Sequence, residues 1–225
     1  MSASFRALAR LAAARYSPRD RYARHFAFGK LTRDPVFEHL VDNELIPADA
    51  RIVDIGCGQG VLGALLAARG RHGRWRYRGI DLSTRGIERA RYAAGPAGDL
   101  VAGDMCGTSF GEADVVVILD VLHYVEPGAQ ADVIRRAREA LAGGGTLILR
   151  MADAGAGLRF RITTALDLFA TRINGHRVAR LHHVPLADRV RELESHGFRV
   201  EAVPMSKGTP FANVLLVARY DPRRT

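Results

Sequence analysis

From residue 51 onward, apolar residues come in short runs, and between the runs they recur at helical spacing. Arg51-Ile52-Val53-Asp54-Ile55 favours a strand; Val61, Leu62, Leu65 and Leu66 then share one helical face, with alanines between them. Tyr77 to Asp81 predicts a second strand, followed by a helix that Ser83 caps and that carries Gly86, Ile87 and Ala90. A third strand is expected near Leu100 to Ala102. Asp114 to Leu119 is a fourth; Val115, Val116, Val117, Ile118 and Leu119 make both its faces apolar, which suits the middle of a parallel sheet. Pro127 opens a helix through Val133, Ile134, Ala137 and Leu141, Gly143-Gly144-Gly145 closes it, and Thr146 to Arg150 is a fifth strand.

The flanks are patterned differently. Residues 1–30 read as helical segments, with Phe5, Leu8 and Leu11 or Ala12 on one face and arginines on another. Ser17-Pro18-Arg19-Asp20 reads as a helix start, with Ser17 as N-cap and Pro18 in the first turn. Phe37, Leu40, Val41 and Leu45 predict an amphipathic helix ending near Pro47. Leu158, Ile162, Leu166, Phe169 and Ile173 predict another, which Asn174-Gly175 ends; it either docks on the core or walls an acceptor pocket. His182-His183 lie in a loop before a helix from Leu186 or Ala187 to Ser195. Gly197-Phe198-Arg199-Val200 begins strand 6, Gly208-Thr209-Pro210 suits a turn, and Asn213 to Arg219 is strand 7. The expected organisation is a helical segment over 1–48 and one domain over 49–225, with a helical insertion at about 155–196.

The 225 residues, 48% of them hydrophobic, suit one α/β domain with a packed core. No run of 18 apolar residues occurs, so no membrane-spanning helix is expected, and the N-terminal residues lack the apolar core of a secretory signal. Cys57 and Cys106 form neither a disulfide framework nor a zinc pattern, and no other metal-ligand spacing occurs, so the chain reads as cytoplasmic and without a metal. The net charge of +9 is compatible with nucleic acid, an anionic membrane or an acidic protein. Nearly all the cations are arginines scattered among acids, the pattern of a compositional bias. Only the stretch from Arg69 to Arg78, with Trp75 and Tyr77, is dense, and it reads as a loop and the solvent side of a strand near the sheet edge rather than a nucleic-acid surface.

The chemistry concentrates at the strand ends. Asp54-Ile55-Gly56-Cys57-Gly58-Gln59-Gly60 makes a tight glycine turn between the first strand and its helix, where free N–H groups face a ligand. Gly58-Gln59-Gly60-Val61-Leu62-Gly63 also matches the dinucleotide pattern G-x-G-x-x-G. Asp54, however, precedes the first glycine; a carboxylate there repels a pyrophosphate and suits a ligand carrying an ammonium and a sulfonium. Asp81 ends strand 2, 27 residues after Asp54, where an acid accepts two ribose hydroxyls. Asp104 follows strand 3 and Asp120 follows strand 4, so acids recur along the sheet edge at which open α/β proteins bind ligands.

The string from Asp54 to Gly60, with the ordered acids behind it, resembles motif I and its sequels in class I S-adenosylmethionine (SAM)-dependent methyltransferases, specifically over about residues 50–150. The resemblance implies a doubly wound, Rossmann-like, seven-stranded, mostly parallel sheet with strand 7 antiparallel and a helical N-terminal lid. It implies SAM as cofactor, held by Asp54, Gly56, Cys57, Gly58, Gly60, Asp81, Leu82, Asp104, Met105 and Asp120. Asp104 would meet the adenine amino group and Met105 pack on the ring, while Lys30 would reach the methionine carboxylate or stand as a solvated loop lysine. His123, just beyond strand 4, is a candidate general base, because an imidazole titrates near neutrality; a hydrogen-bonded loop histidine is the alternative. Tyr124, His182 and His183 are further candidates, and Tyr16 and Tyr22 would enter through the lid.

The Asn/Asp-Pro-Pro-aromatic signature of amino-directed nucleic-acid methyltransferases is absent after strand 4, which argues for a small-molecule or carrier-bound acceptor rather than nucleic acid. Residues 22–41, with Phe28-Gly29-Lys30-Leu31 and Asp34-Pro35-Val36-Phe37, are similar to small methyltransferases of bacterial aryl-polyene and polyketide pigment pathways, which implies an aromatic or acyl acceptor and secondary metabolism. A monomer or homodimer is expected. Two other classes stay open: a non-catalytic SAM- or nucleoside-binding protein, regulatory or at a membrane surface, and an NAD-dependent oxidoreductase.

Overall fold

The computed structural model describes residues 1–70, 75–96, 98–153, 181–205 and 212–224. The chain falls into two compact units, Met1–Val117 and Ile118–Thr225. Its seven strands make one sheet in the order β3-β2-β1-β4-β5-β7-β6.

The first unit contains α1 (Ala3–Ala14), α2 (Arg21–Arg33), α3 (Pro35–Asp42), β1 (Arg51–Ile55), α4 (Val61–Ala68), β2 (Arg76–Asp81), α5 (Thr84–Ala94) and β3 (Gly98–Ala102). It also contains the start of β4 (Val115–Leu119). β1 and β2 pair in parallel with Asp54 opposite Gly79, and β2 and β3 pair in parallel with Asp81 opposite Ala102. This register brings the carboxyl ends of the three strands to one edge. β4 is fastened where it begins: Asp114 N–H donates to Arg51 O, and the Asp114 carboxylate takes Arg51 N–H at 2.7 Å and its guanidinium at 2.8 Å. Val115, Val116 and Val117 are all buried, as an inner strand requires.

The N-terminal helices belong to this unit's packing. α1 buries Phe5, Ala9, Ala12 and Ala13, and it packs on α2 and on α4, whose small residues permit close approach. Burying Phe5 alone contributes about 2–3 kcal/mol. Arg15 Nε donates to Ala93 O at 2.6 Å, and Arg89 Nε pairs with Asp20 Oδ2 at 2.7 Å, so α5 holds the α1–α2 junction from its other side. Asp20, not Ser17, caps α2: its Oδ1 accepts from Ala23 N–H at 2.9 Å, while Ser17 Oγ accepts from Arg19 N–H. The helix starts three residues later than expected, because the Asp20 carboxylate serves the helix end and the Arg89 guanidinium together.

The second unit continues with a 3-10 turn (Leu122–Tyr124), α6 (Pro127–Ala140), β5 (Gly145–Ala152), α7 (Leu186–Ser195), β6 (Phe198–Pro204) and β7 (Asn213–Tyr220). β7 runs antiparallel to both β5 and β6, as expected. β5 is longer than expected, since it pairs with β7 from Gly145 through Ala152. α3 is shorter than expected, ending at Asp42. The expected helix through Leu158 and Ile173, its Asn174-Gly175 end and the Gly208-Thr209-Pro210 turn lie outside the described residues.

Candidate active site

In the first unit the site is built on the β1–α4 turn. Gly56 and Cys57 donate their N–H groups to Ile80 O at 2.7 and 3.1 Å, which draws the turn against the end of β2. Gly58 and Gly60 have φ of 55° and 72°, the left-handed region in which a side chain is strained. A Cβ on Gly58 would meet nothing within 4 Å, so that side of the turn is open to a ligand. Gly60 precedes α4 without a side-chain cap. Tyr16, 1% exposed, donates its hydroxyl to Gln59 O at 2.9 Å.

Asp81 sits beside this turn. One carboxylate oxygen takes Gly58 N–H and the other takes Ser83 N–H, each at 2.8 Å. The carboxylate is thereby fixed in orientation, with lone pairs remaining on both oxygens for a diol. Ser83 caps α5 by accepting from Gly86 N–H at 3.0 Å, as its position in the sequence implied. Asp104 is exposed and closes a local turn, its Oδ1 accepting from Cys106 N–H at 2.8 Å. Leu82 is 60% exposed and Cys57 is buried.

Asp54 is 4% exposed, and among the described residues the Tyr77 hydroxyl is its side-chain donor, at 2.6 Å from Oδ2. Burial pushes its pKa up to about 7; the Tyr77 hydrogen bond opposes that rise, and the nearby Asp81 charge adds to it. A buried carboxylate beside a second one is a ready partner for a cation. Fixed diol acceptors, an open glycine turn and a cation-seeking carboxylate fit a ligand with a ribose at one end and an ammonium at the other. Lys30 Nζ pairs with Asp34 Oδ2 at 2.8 Å across one turn, so a local ion pair accounts for this lysine without a ligand.

In the second unit, the expected catalytic residues form a buried aromatic group. His123 is 8% exposed, its ring centroid 4.3 Å from that of Tyr124 and 5.2 Å from that of His183, which is stacked on it at 20°. The two loops are joined by their backbones: His182 N–H donates to His123 O at 2.8 Å, and Gln130 Nε2 donates to both Val125 O and His182 O. Arg189, 2% exposed, donates to Gln130 Oε1. Burial, then the neighbouring His183, pushes the His123 pKa down to about 4. This corrects the expectation of an imidazole titrating near neutrality: the ring is neutral across the physiological range, and its resting basicity is low. Asp120 has φ of 59° and pairs through both carboxylate oxygens with Arg150, which is 2% exposed on β5.

Four participants were not singled out from the sequence. Tyr77 had been grouped with the surface arginines, yet strand alternation turns it inward between the exposed Arg76 and the half-buried Arg78. Arg150 was readable only as one charge inside the apolar run Leu147 to Met151. Gln130 and Arg189 have local partners in Val125 and Glu192, but the contacts that join the two loops, to His182 and between Gln130 and Arg189, span 52 and 59 residues and leave no local signal.

Residues 52–145 match a family model described as a methyltransferase domain. The carboxy-S-adenosyl-L-methionine synthase of Aeromonas hydrophila subsp. hydrophila is 36% identical over 108 residues, 44% of this chain and 42% of that one. The ribosomal RNA small subunit methyltransferase C of Chromohalobacter salexigens is 33% identical over 109 residues, 46% of this chain and 32% of that one. The chain thus spans less than half the length of these curated relatives. In fold it is similar to the magnesium protoporphyrin IX methyltransferase of Synechocystis PCC 6803 with bound SAH, with a TM-score of 0.62 and 22% identity over 89% of this chain and 88% of that one. The glycine turn, Asp54 and Asp81 all lie inside the matched stretch, so the site described above falls in the part of the chain that is similar to a methyltransferase domain.

Proposed function

We propose that the chain is a SAM-dependent methyltransferase that moves a methyl group to a small-molecule or carrier-bound acceptor by in-line displacement. The observation that carries this reading is the pair of carboxylates around the glycine turn: Asp81 fixed by two backbone N–H groups, and Asp54 buried and, among the described residues, facing no cation. When bound, the cofactor supplies a methyl group already activated by its sulfonium, so the acceptor's lone pair forms the new bond while the carbon–sulfur electrons return to sulfur. The protein's share is alignment and exclusion of water. Asp81 holds the ribose, Asp54 the ammonium, and the open backbone at Gly58 allows close approach. His123, neutral but weakly basic, takes a proton only from an acceptor whose acidity rises as it is methylated; His183 and Tyr124 support its ring. The missing nucleic-acid signature supports a small acceptor, while the ribosomal RNA relative keeps nucleic acid in the test.

The carboxy-S-adenosyl-L-methionine synthase relative supplies a second reading, in which the cofactor itself is modified. Incubation with methyl-labelled SAM, cell extract and separate RNA and small-molecule fractions distinguishes the two. Label in an acceptor fraction is expected; label confined to a modified cofactor favours the second reading. In calorimetry, Asp81→Ala and Asp104→Ala are each expected to weaken SAM binding at least tenfold, and unaltered binding in both refutes the site.

A further inference from the structure

Tyr77 lies on β2 with its ring inside the first unit, 6% exposed, and its hydroxyl ends on Asp54 Oδ2 at 2.6 Å. Room for the ring comes from Gly63 on α4: a Cβ there would stand 2.8 Å from Tyr77 Cε1 and 3.0 Å from Cζ. The third glycine of the G-x-G-x-x-G string therefore serves this side chain rather than a phosphate. We propose, on the reading that this rim binds SAM, that Tyr77 is a positioning residue for the cofactor, its hydroxyl holding one oxygen of Asp54 so that the carboxylate presents its charge to the ammonium in a single orientation.

The surroundings define what the hydroxyl does. The titratable groups facing Asp54 are Tyr77 from β2, Asp81 from the end of β2, and Cys57 from the turn; Tyr16 faces Tyr77 from the α1–α2 junction. None of these neighbours is a cation. Burial pushes the Tyr77 phenol well above its ordinary range, so it is a donor at neutral pH. A donor to a carboxylate favours its charged form and fixes its plane. Without the hydroxyl, Asp54 rotates more freely and keeps its proton to higher pH, so a cationic ligand must displace that proton in order to bind. A hydrogen bond to a charged group, once lost, typically costs about tenfold or more in an equilibrium.

The test is S-adenosylhomocysteine binding by calorimetry from pH 5.5 to 8.5, for the full chain and for Tyr77→Phe, Asp54→Asn and the double variant. Wild-type affinity is expected to rise with pH and level off as Asp54 ionises. Tyr77→Phe is expected to move that rise to higher pH, losing about tenfold at pH 6.5 and recovering most of it by pH 8.5. Asp54→Asn is expected to bind weakly without the rise, and Tyr77→Phe to add nothing to it. A tyrosine at 77 bearing one ring fluorine keeps the shape and strengthens the donor, so it is expected to move the rise the other way, which preserves the test if the Phe variant misfolds. A wild-type affinity without pH dependence, or a Tyr77→Phe curve parallel to wild type, overturns the role of Tyr77. No binding by wild type at any pH overturns the cofactor reading itself.

Discussion

Asp54→Asn should stabilise the ligand-free protein at neutral and alkaline pH while weakening the cofactor site. The carboxylate is 4% exposed, and its pKa is raised from 3.8 to about 7. The folded state therefore binds this proton more tightly than the unfolded chain does. Stability from this group is fully present below pH 3.8, declines as pH rises toward 7, and is constant above it. A difference of about 3 units corresponds to an upper figure of order 4 kcal/mol of destabilisation above pH 7. Asparagine keeps an acceptor for Tyr77 and carries no charge, but its amide N–H groups require partners, a cost of about 1–3 kcal/mol. The net expectation is a gain of about 1–3 kcal/mol at pH 8 and none, or a loss, near pH 4. Urea unfolding of both proteins at four values between pH 4 and 8 measures this. The stability difference between them should grow by about 1.4 kcal/mol per pH unit up to pH 7. A flat difference would refute the claim that Asp54 is held at the cost of folding stability.

Two further outcomes test the second unit. Arg150→Met, which leaves the Asp120 carboxylate without its bidentate partner, should cost about 3 kcal/mol in chemical unfolding, and Asp120→Asn in the same background should recover part of that loss, since asparagine tolerates the left-handed backbone there. His123, with its pKa lowered to about 4, contributes stability that is complete above its unfolded value of 6.5 and is lost as pH falls toward 4; the loss should reach about 3 kcal/mol, and His123→Gln should flatten that part of the acid-unfolding curve.

How much of this was legible depended on the distance over which each signal acts. β1 and α7 appear with the bounds that the apolar pattern implied, and Ser83 caps α5, because strand runs and caps are written within a few residues of one another. The competition between Ser17 and Asp20 was settled by Arg89, 69 residues away, and so lay outside any local pattern. Strand parity did encode the inward direction of Tyr77, but the arginines on either side carried the louder signal. The basicity of His123 follows from burial and from His183, which are products of the fold. The acids at Asp54 and Asp81 were found from their places at strand ends; their partners Tyr77, Gly58 and Ser83 emerged only with the geometry.

The hydrogen bond from Tyr16 to Gln59 O has a practical consequence. The stretch that sequence comparison recognises starts at residue 52, yet the hydroxyl steadying its glycine turn is contributed from 36 residues earlier. Trimming the polypeptide to the recognisable stretch would also uncover the face of α4 that α1 shields and strip Arg89 of its carboxylate. The recognisable stretch and the packed unit begin at different residues, and dissection of this protein has to follow the second.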